Sequence, residues 1–347
     1  MLSGGSGSRL RPLTYSQQKQ LIPVANKPIL FYVIEDLIAA GVRDIGIIVG
    51  PNREKVESTV LDRDWSAKFE FIYQDAPLGL AHAVKISEDF IKREPFVMYL
   101  GDNLISSGIS DHVSNFIASG AEASILLTKV DHPERFGVAE LGSNGEVVRL
   151  IEKPKIPPSN LALVGIYLFK CAIFEAVREI KPSWRNELEI TDAIQWLLDK
   201  GHRVEASLIK GWWKDTGLPE DILKANHLIL ANLESSMLGE VRAGAHVRGK
   251  VRIGEGTVLD KGSIIRGPVN IGSNCLISDA LVGPYTSIGD GCEISNAEIV
   301  GSIVMEGSKI DAKRTIANSL IGRGVKILEN DHKGKTFIVG DNSEIRV

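Results

Sequence analysis

The chain is poor in the residues that staple or anchor a protein. Its three cysteines, Cys171, Cys275 and Cys292, are scattered and form no CxxC pair, which argues against a disulfide frame and against a thiolate zinc site. No basic stretch followed by an apolar core opens the chain, so no signal peptide is expected. The longest apolar run, Leu161 to Phe169, falls far short of the ~20 residues a membrane helix requires. Lys and Arg (40) do not outnumber Asp and Glu (44), and the net charge of −4 gives a polyanionic nucleic acid no global attraction. The absences together predict a soluble, reduced, cytoplasmic protein with no membrane and no nucleic-acid partner. Any affinity for phosphate has to be local.

With 44% hydrophobic residues, 24% charged residues and 347 positions in all, the chain has the composition of a globular protein and the length of two domains. Up to about residue 215, short β-branched runs alternate with amphipathic stretches. Ile45–Val49, Phe69–Tyr73, Phe96–Leu100 and Ala123–Leu127 read as strands, with a further one at Val147–Ile151. Ile29–Ala40, Leu80–Lys92 and Asp111–Ala118 read as helices, and Pro219–Met237 as one more. Strands alternating with helices imply an α/β domain with a mainly parallel sheet, whose ligands bind at the carboxyl ends of the strands.

The texture changes after Gly239. Ile253-Gly, Ile271-Gly, Ile288-Gly and Ile321-Gly recur, the first three 18 and 17 residues apart, with Val247, Val258, Ile264, Ile277 and Ile294 between them. Steps of roughly six residues, three to a turn, indicate a parallel β-helix with one apolar residue per face pointing inward. The expected domains are therefore 1–235 and 236–347. Cys275 and Cys292, 17 apart, would stack on neighbouring coils as small buried hydrophobes.

The chemistry concentrates at the start. Gly4, Gly5 and Gly7 form a loop whose backbone N–H groups can close around an oxyanion, and Ser8, Arg9, Arg11 and Lys19 follow it closely. Such a loop can also simply join strand to helix; Lys19 strengthens the phosphate reading. Gln74, after a predicted strand, offers donor and acceptor together, suited to the amide-like edge of a uracil or thymine. Pro77-Leu-Gly79 would let backbone approach a flat base, or else is an ordinary turn, and His82 is expected to pack on the helix that follows. Asp102, in a Gly turn after a strand, and Asp215, in Trp-Trp-Lys-Asp-Thr-Gly, are two carboxylates suited to Mg2+ and phosphate oxygens. A two-carboxylate glycosidase competes with this reading but gives the basic Gly-rich loop no role. Glu152-Lys153 can accept a sugar hydroxyl and neutralise a phosphate, or form a surface ion pair. Glu187-Leu-Glu-Ile-Thr-Asp192 reads as a helix start capped by Thr191 or Asp192, with Arg185 just ahead.

The ordered set of these motifs, with Phe136-Gly-Val138 and Val164-Gly-Ile-Tyr167, resembles the sugar-1-phosphate nucleotidyltransferases over nearly the whole chain, in their long form with a C-terminal β-helix. The resemblance implies a Rossmann-like domain followed by a left-handed β-helix of hexapeptide repeats. It also implies transfer of a nucleotidyl group from dTTP, or UTP, to glucose 1-phosphate, with Mg2+ as cofactor and a homo-oligomer as the assembly, formed either through the β-helix or through the catalytic domains. By the same resemblance Gly4, Gly5, Gly7, Ser8 and Arg9 hold the triphosphate, Lys19 sits on the reacting phosphates, Asp102 and Asp215 hold the metal, and Gln74, Pro77 and Gly79 hold the base. Gly137, Glu152, Val164 and Tyr167 would bind glucose, and Lys153 and Arg185 its phosphate.

The chain departs from the family pattern in four places. Ser8 stands for the usual Thr; Gln18 stands for a Pro, which should loosen the approach to Lys19; Asn186 stands for a Gly, which would shift Arg185 if the position needs φ > 0, a conformation Asn tolerates best. Only Met1-Leu2-Ser3 precede the Gly loop, where the family has an apolar strand of about five residues, so either the start of the chain is misplaced or a short central strand with a weakened hold on the loop is expected. Two other functions compete: an acyltransferase in the β-helix, for which His246 and His332 are the only candidate bases, and a non-catalytic nucleotide-sugar sensor.

Overall fold

The computed structural model describes residues 1–5, 7–51 and 53–329. Within them the chain forms two compact units, one built from 1–5, 17–21, 29–51 and 53–215, the other from 7–16, 22–28 and 216–329.

In chain order the elements are β1 (Leu2–Ser3), β2 (Pro23–Val24), β3 (Lys27–Pro28), α1 (Ile29–Ala39), β4 (Asp44–Val49), α2 (Arg53–Leu61), β5 (Lys68–Tyr73), α3 (Leu80–Ile86), α4 (Glu88–Ile91) and β6 (Phe96–Tyr99). They continue with β7 (Asn103–Ile105), α5 (Ser110–Ala118), β8 (Ala123–Lys129), β9 (Gly137–Leu141), β10 (Val147–Glu152), β11 (Leu161–Phe169) and α6 (Ala172–Glu179). Then come α7 (Ile190–Asp199), β12 (Val204–Leu208), β13 (Trp213–Asp215) and α8 (Pro219–Ala231).

The first unit has an all-parallel sheet in the order β1-β4-β5. The central β4 is a run of apolar residues buried on both faces, as a covered parallel strand must be. The two-residue β1 lies centrally, because Leu2 pairs with Ile48 on one side and bridges Leu100 on the other. Met1 extends this ladder, its amino group donating to Gly46 O at 2.7 Å in a buried position that pulls its pKa down to about 5. Beside it a cavity of about 830 Å3 is lined by Leu37, Val84, Phe90 and Phe116.

A second, mixed sheet runs β10-β9-β11-β8-β12, with β6 also on β11. Here β11 is antiparallel to β6, β8 and β9, and only β12 and β8 run in parallel. The β11–β8 register shifts between Leu163 and Tyr167, a bulge of the kind that re-aims backbone beside active sites. One apolar core packs Val33, Ile34, Ile47, Leu126 and Ile166; the other packs Ile125, Phe169, Phe174, Ile190 and Ile194.

The expected helix over Leu80–Lys92 is broken at Ser87, whose hydroxyl donates to Val84 O at 2.8 Å and competes with the backbone ladder. The expected helix over Pro219–Met237 ends at Ala231, and Ser236–Met237 is already a solenoid strand.

Among the described residues the second unit carries a parallel β-solenoid of three ladders, with six, six and five strands. Ile253, Ile271, Ile288, Val304 and Ile321 stack in register on one ladder; Leu259, Ile277, Ile294, Ile310 and Ile327 on the second; Val247, Ile265, Val282, Ile299 and Ile316 on the third. Leu259 and Ile265 point inward rather than their neighbours Val258 and Ile264, since successive strand side chains take opposite faces. Cys275 and Cys292 are buried, free thiols whose sulfurs donate to Gly289 O and Met305 O.

A buried amide network ties α8 and the β2–β3 hairpin to the solenoid: Asn226 Oδ1 accepts from Ala25 N and Ser287 Oγ, its Nδ2 donates to Tyr285 O, and Asn270 Nδ2 donates to Ala25 O. Among the described residues no helix is long and apolar enough to cross a membrane.

Candidate active site

The carboxyl ends of β1, β5 and β6 deliver Gly4, Gln74 and Asp102 to one end of the first unit, where an α/β sheet binds its ligands. Gly5 lies against Lys19: a Cβ on it would stand 3.4 Å from Lys19 Cε, and one on Gly4 would stand 3.7 Å from Gln74 Oε1. Lys19, from the 3-10 turn Lys19–Leu21, pairs with Asp102 Oδ2, both side chains being about one-seventh exposed. Gln18, expected to loosen this loop, is itself held: Ser3 Oγ donates to its Oε1 at 3.3 Å, and its carbonyl accepts from Leu21 N at 3.0 Å.

Asp215 reaches the same region through β13, which pairs antiparallel with β7 so that Asp215 stands opposite Asn103, the neighbour of Asp102. Asn103 is buried and donates to Asp102 Oδ1 at 3.0 Å while accepting from Trp213 Nε1 at 2.7 Å, which fixes the turn. The strand register thus sets Asp215 next but one to Asp102 across the β7–β13 pair, and carboxylates are the hard-oxygen donors that Mg2+ takes alongside substrate phosphates and water. Beside Gly101, the buried Gln20 Oε1 has no partner among the described residues. No group of three or more His, Cys, Asp or Glu that could enclose a metal occurs among those residues.

Gly79 takes φ 101° and a Cβ there would fall 2.4 Å from Leu188 O, so glycine is required by the backbone of Leu188. That approach is sealed by Leu188 N donating to Leu78 O and Ala81 N donating to Leu188 O. Pro77 is exposed in the preceding turn. His82 does more than pack on its helix: its Nδ1 lies 2.9 Å from Gln74 Nε2. Gly7, Ser8 and Arg9 belong to the second compact unit, in and just before the 3-10 turn Ser8–Leu10; Gly7 takes φ 61° and its carbonyl accepts from Thr14 Oγ1 at 2.8 Å.

A second cluster gathers around Glu152 at the end of β10. Arg185 bridges three carboxylates, Glu187 at 3.0 Å, Glu189 at 3.3 Å and Glu152 at 3.5 Å, and Lys153 Nζ approaches Glu152 at 3.7 Å. Burial and the neighbouring Glu189 charge push the Glu152 pKa up, against the pull of Lys153 and Arg185. Asn186 takes φ 59°, so the position does need a positive φ, in a turn closed by Ser183 N donating to Glu187 O. Gly137 lies over this cluster, since a Cβ there would meet Thr191 Cγ2 at 2.8 Å and Glu152 Oε2 at 3.1 Å.

Glu189 occupies the cap position of α7, and neither Thr191 nor Asp192 caps it; the Thr191 hydroxyl donates instead to Glu152. The bulged β11 passes alongside, but the Val164 and Tyr167 side chains are buried, Val164 offering its carbonyl to Trp213 Nε1 and Tyr167 stacking on Phe169.

Asn103, His82 and Glu189 are the residues of these clusters that sequence reasoning left without a role. Glu189 stands four residues from Arg185, but the segment between them is a turn ahead of α7 and not a helix, so all three depend on contacts that form only in the fold.

A family model described as nucleotidyl transferase matches residues 1–232. A glucose-1-phosphate thymidylyltransferase of Streptomyces antibioticus is 48% identical over 354 residues, covering 100% of this chain and 98% of that protein. The crystal structure of a Bacillus anthracis protein described as a glucose-1-phosphate thymidylyltransferase, in complex with sucrose, aligns with TM-score 0.63 and 36% identity over 68% of this chain and 96% of its own. A UDP-glucose pyrophosphorylase complexed with UDP-glucose aligns with TM-score 0.62 and 27% identity over 66% of this chain and 97% of its own. With these likenesses over a site of this composition, the chain belongs to the nucleotidyl transferase family and is a sugar-1-phosphate nucleotidyltransferase.

Proposed function

We propose that the protein transfers the thymidylyl group of dTTP to glucose 1-phosphate, giving dTDP-glucose and pyrophosphate. The observation that carries the reading is the meeting of Lys19, Asp102 and the Gly4-Gly5 loop at the carboxyl ends of the strands, with Gln74 beside them. A phosphate oxygen of the sugar phosphate attacks the α-phosphorus in line; the bond from that phosphorus to the β-bridging oxygen breaks, and pyrophosphate leaves with the electron pair. Such a transfer requires positioning and charge neutralisation rather than a protein nucleophile.

In this reading Lys19 exchanges its contact with Asp102 for the α-phosphate as charge builds there. Gly4, Gly5, Gly7, Ser8 and Arg9 hold the triphosphate, and Gln74, Pro77 and Gly79 hold the base. Asp102 and Asp215 would hold Mg2+, which when bound neutralises charge on phosphate oxygens. Glu152, the Gly137 backbone and the backbone of Val164 orient the glucose, with Tyr167 supporting them from the core. Lys153 and Arg185 receive its phosphate, which draws Arg185 away from carboxylates it already satisfies.

The catalytic half is placed at 1–235 and the solenoid at 236–347, a division supported by the family match ending at 232. Exposed Met237, Leu238, Leu276 and Leu328 support a homo-oligomer formed through the solenoid, which light scattering tests. The same proposal places the enzyme in the cytoplasm. An acyltransferase in the solenoid has little to build on: His246 is exposed there, and His332 lies outside the described residues.

The UDP-glucose complex favours a second reading, in which UTP replaces dTTP. One methyl group in an apolar pocket separates the two by only ~10–200-fold. Pyrophosphate release measured with dTTP and UTP against glucose, glucosamine and N-acetylglucosamine 1-phosphates decides; dTTP with glucose 1-phosphate should give the highest kcat/KM.

A further inference from the structure

We infer that His82 is a positioning residue that sets the orientation of the Gln74 carboxamide and thereby selects bases that carry a ring N–H. The inference rests on the reading of Gln74 as the base-facing residue. A carboxamide has two donor hydrogens on Nε2 and an acceptor on Oε1, so by itself it can serve a ring N–H or a ring acceptor by turning over. With the imidazole proton on His82 Nε2, both donors are spent inside the protein. Nε2 lies 2.9 Å from His82 Nδ1 and donates at 3.4 Å to Gly79 O. Oε1 is left on the side of the Gly-rich loop, 3.7 Å from where a Cβ on Gly4 would stand. Gln74 therefore offers a ligand an acceptor only.

Thymine and uracil present a donating ring N–H between two carbonyls, which an acceptor satisfies. Cytosine presents an accepting nitrogen at the same place, and two acceptors facing each other at a half-buried site leave both unpaired. The choice is set by the imidazole, because Nδ1 can accept only when the proton resides on Nε2, and an accepting Nδ1 requires the amide nitrogen to face it.

The imidazole is itself well placed. His82 stands in the first turn of α3, and that turn is pinned where Gly79 lets the Leu188 backbone approach, with Ala81 N donating to Leu188 O at 3.0 Å. Gln74 is fixed from its own side by its backbone N–H donating to Val49 O at 2.9 Å. Neither side chain needs to move for the amide to hold this orientation.

The test compares the unaltered protein with His82→Asn, whose Oδ1 can take the place of Nδ1, and His82→Leu, which fills the space without an acceptor. Initial rates are measured with dTTP and with dCTP at saturating glucose 1-phosphate. His82→Leu should raise KM for dTTP ~10-fold with kcat changed less than ~2-fold, and lower the dTTP-to-dCTP ratio of kcat/KM ~10-fold. His82→Asn should hold that ratio within ~3-fold of the unaltered protein. The ratio is independent of how much of each variant is folded, since both nucleotides meet the same molecules. An unchanged ratio in His82→Leu, or a fall in His82→Asn as large as in His82→Leu, overturns the inference.

A protein that turns over no thymidine or uridine nucleotide would instead sink the reading on which the inference rests. The orientation is then read from the substrate-free protein by the Gln74 side-chain amide resonances. Slow hydrogen exchange that is kept in His82→Asn and lost in His82→Leu supports it; equal exchange in all three contradicts it.

Discussion

The two halves of the chain specify structure by opposite means. In the solenoid every coil repeats its neighbour: Ile277 lies between Leu259 and Ile294, and any one contact has copies above and below. In the sheet domain nothing repeats. Lys19 meets Asp102 across 83 residues, and Asp215 reaches Asn103 across more than a hundred, so each site contact is made once and has no substitute. The repeated half should lose stability when damaged and leave the chemistry alone; the unrepeated half should lose chemistry and keep its stability.

The largest effect is expected at Lys19. Lys19→Ala should cost ~10^3-fold in kcat/KM, ~4 kcal/mol of barrier, with Tm within ~2 °C of the parent by thermal melting. A loss under tenfold would remove Lys19 from the reacting phosphates.

Next comes the converse substitution. Ile277→Ala, at a fully buried position, should cost ~3 kcal/mol by denaturant unfolding while turnover per folded molecule stays within ~2-fold. A fall in turnover without a fall in stability would show that the halves are not separable in this way.

The solenoid and the strand-end positions of Gln74 and Asp102 were legible because they follow from period and from turn glycines, which are local. What was not legible arises where neighbours decide. Val258 and Ile264 matched the repeat as well as Leu259 and Ile265, and two adjacent β-branched or aliphatic residues leave the inward face undetermined. The His82–Gln74 contact depends on a turn held by Leu188, a hundred residues on. Tyr167 and Val164 fall on a bulged strand, where alternation no longer states which face a side chain takes, and both are buried. At Gln18 the missing proline ring is visible in the sequence, whereas the hydrogen bond its amide oxygen accepts from Ser3 Oγ is not.

A smaller effect is expected at the second cluster. Arg185→Ala should raise KM for glucose 1-phosphate ~10-fold, ~1.4 kcal/mol, and leave KM for dTTP unchanged in steady-state kinetics. A shift in both would mean that the two clusters are not separate stations.

The smallest concerns pH. Burial and Glu189 hold the Glu152 pKa above its ordinary 4.5, so the folded protein keeps this proton more tightly than the unfolded chain does. The stability that comes with it is present below about pH 4.5 and is lost as pH rises through the folded value. Glu152→Gln should flatten that part of the Tm-versus-pH curve; an unchanged curve would mean that Glu152 ionises without cost.

The central claim is that the strand-end cluster joins dTTP to a sugar phosphate with a metal held by Asp102 and Asp215. It is tested most directly by following pyrophosphate from dTTP and glucose 1-phosphate with Mg2+ added and then chelated, beside a control lacking the sugar phosphate. Release that requires both the sugar phosphate and Mg2+, and that falls ~10^2-fold or more in Asp102→Asn, is the predicted result. Release without the sugar phosphate, or an Asp102→Asn protein as active as the parent, would contradict it.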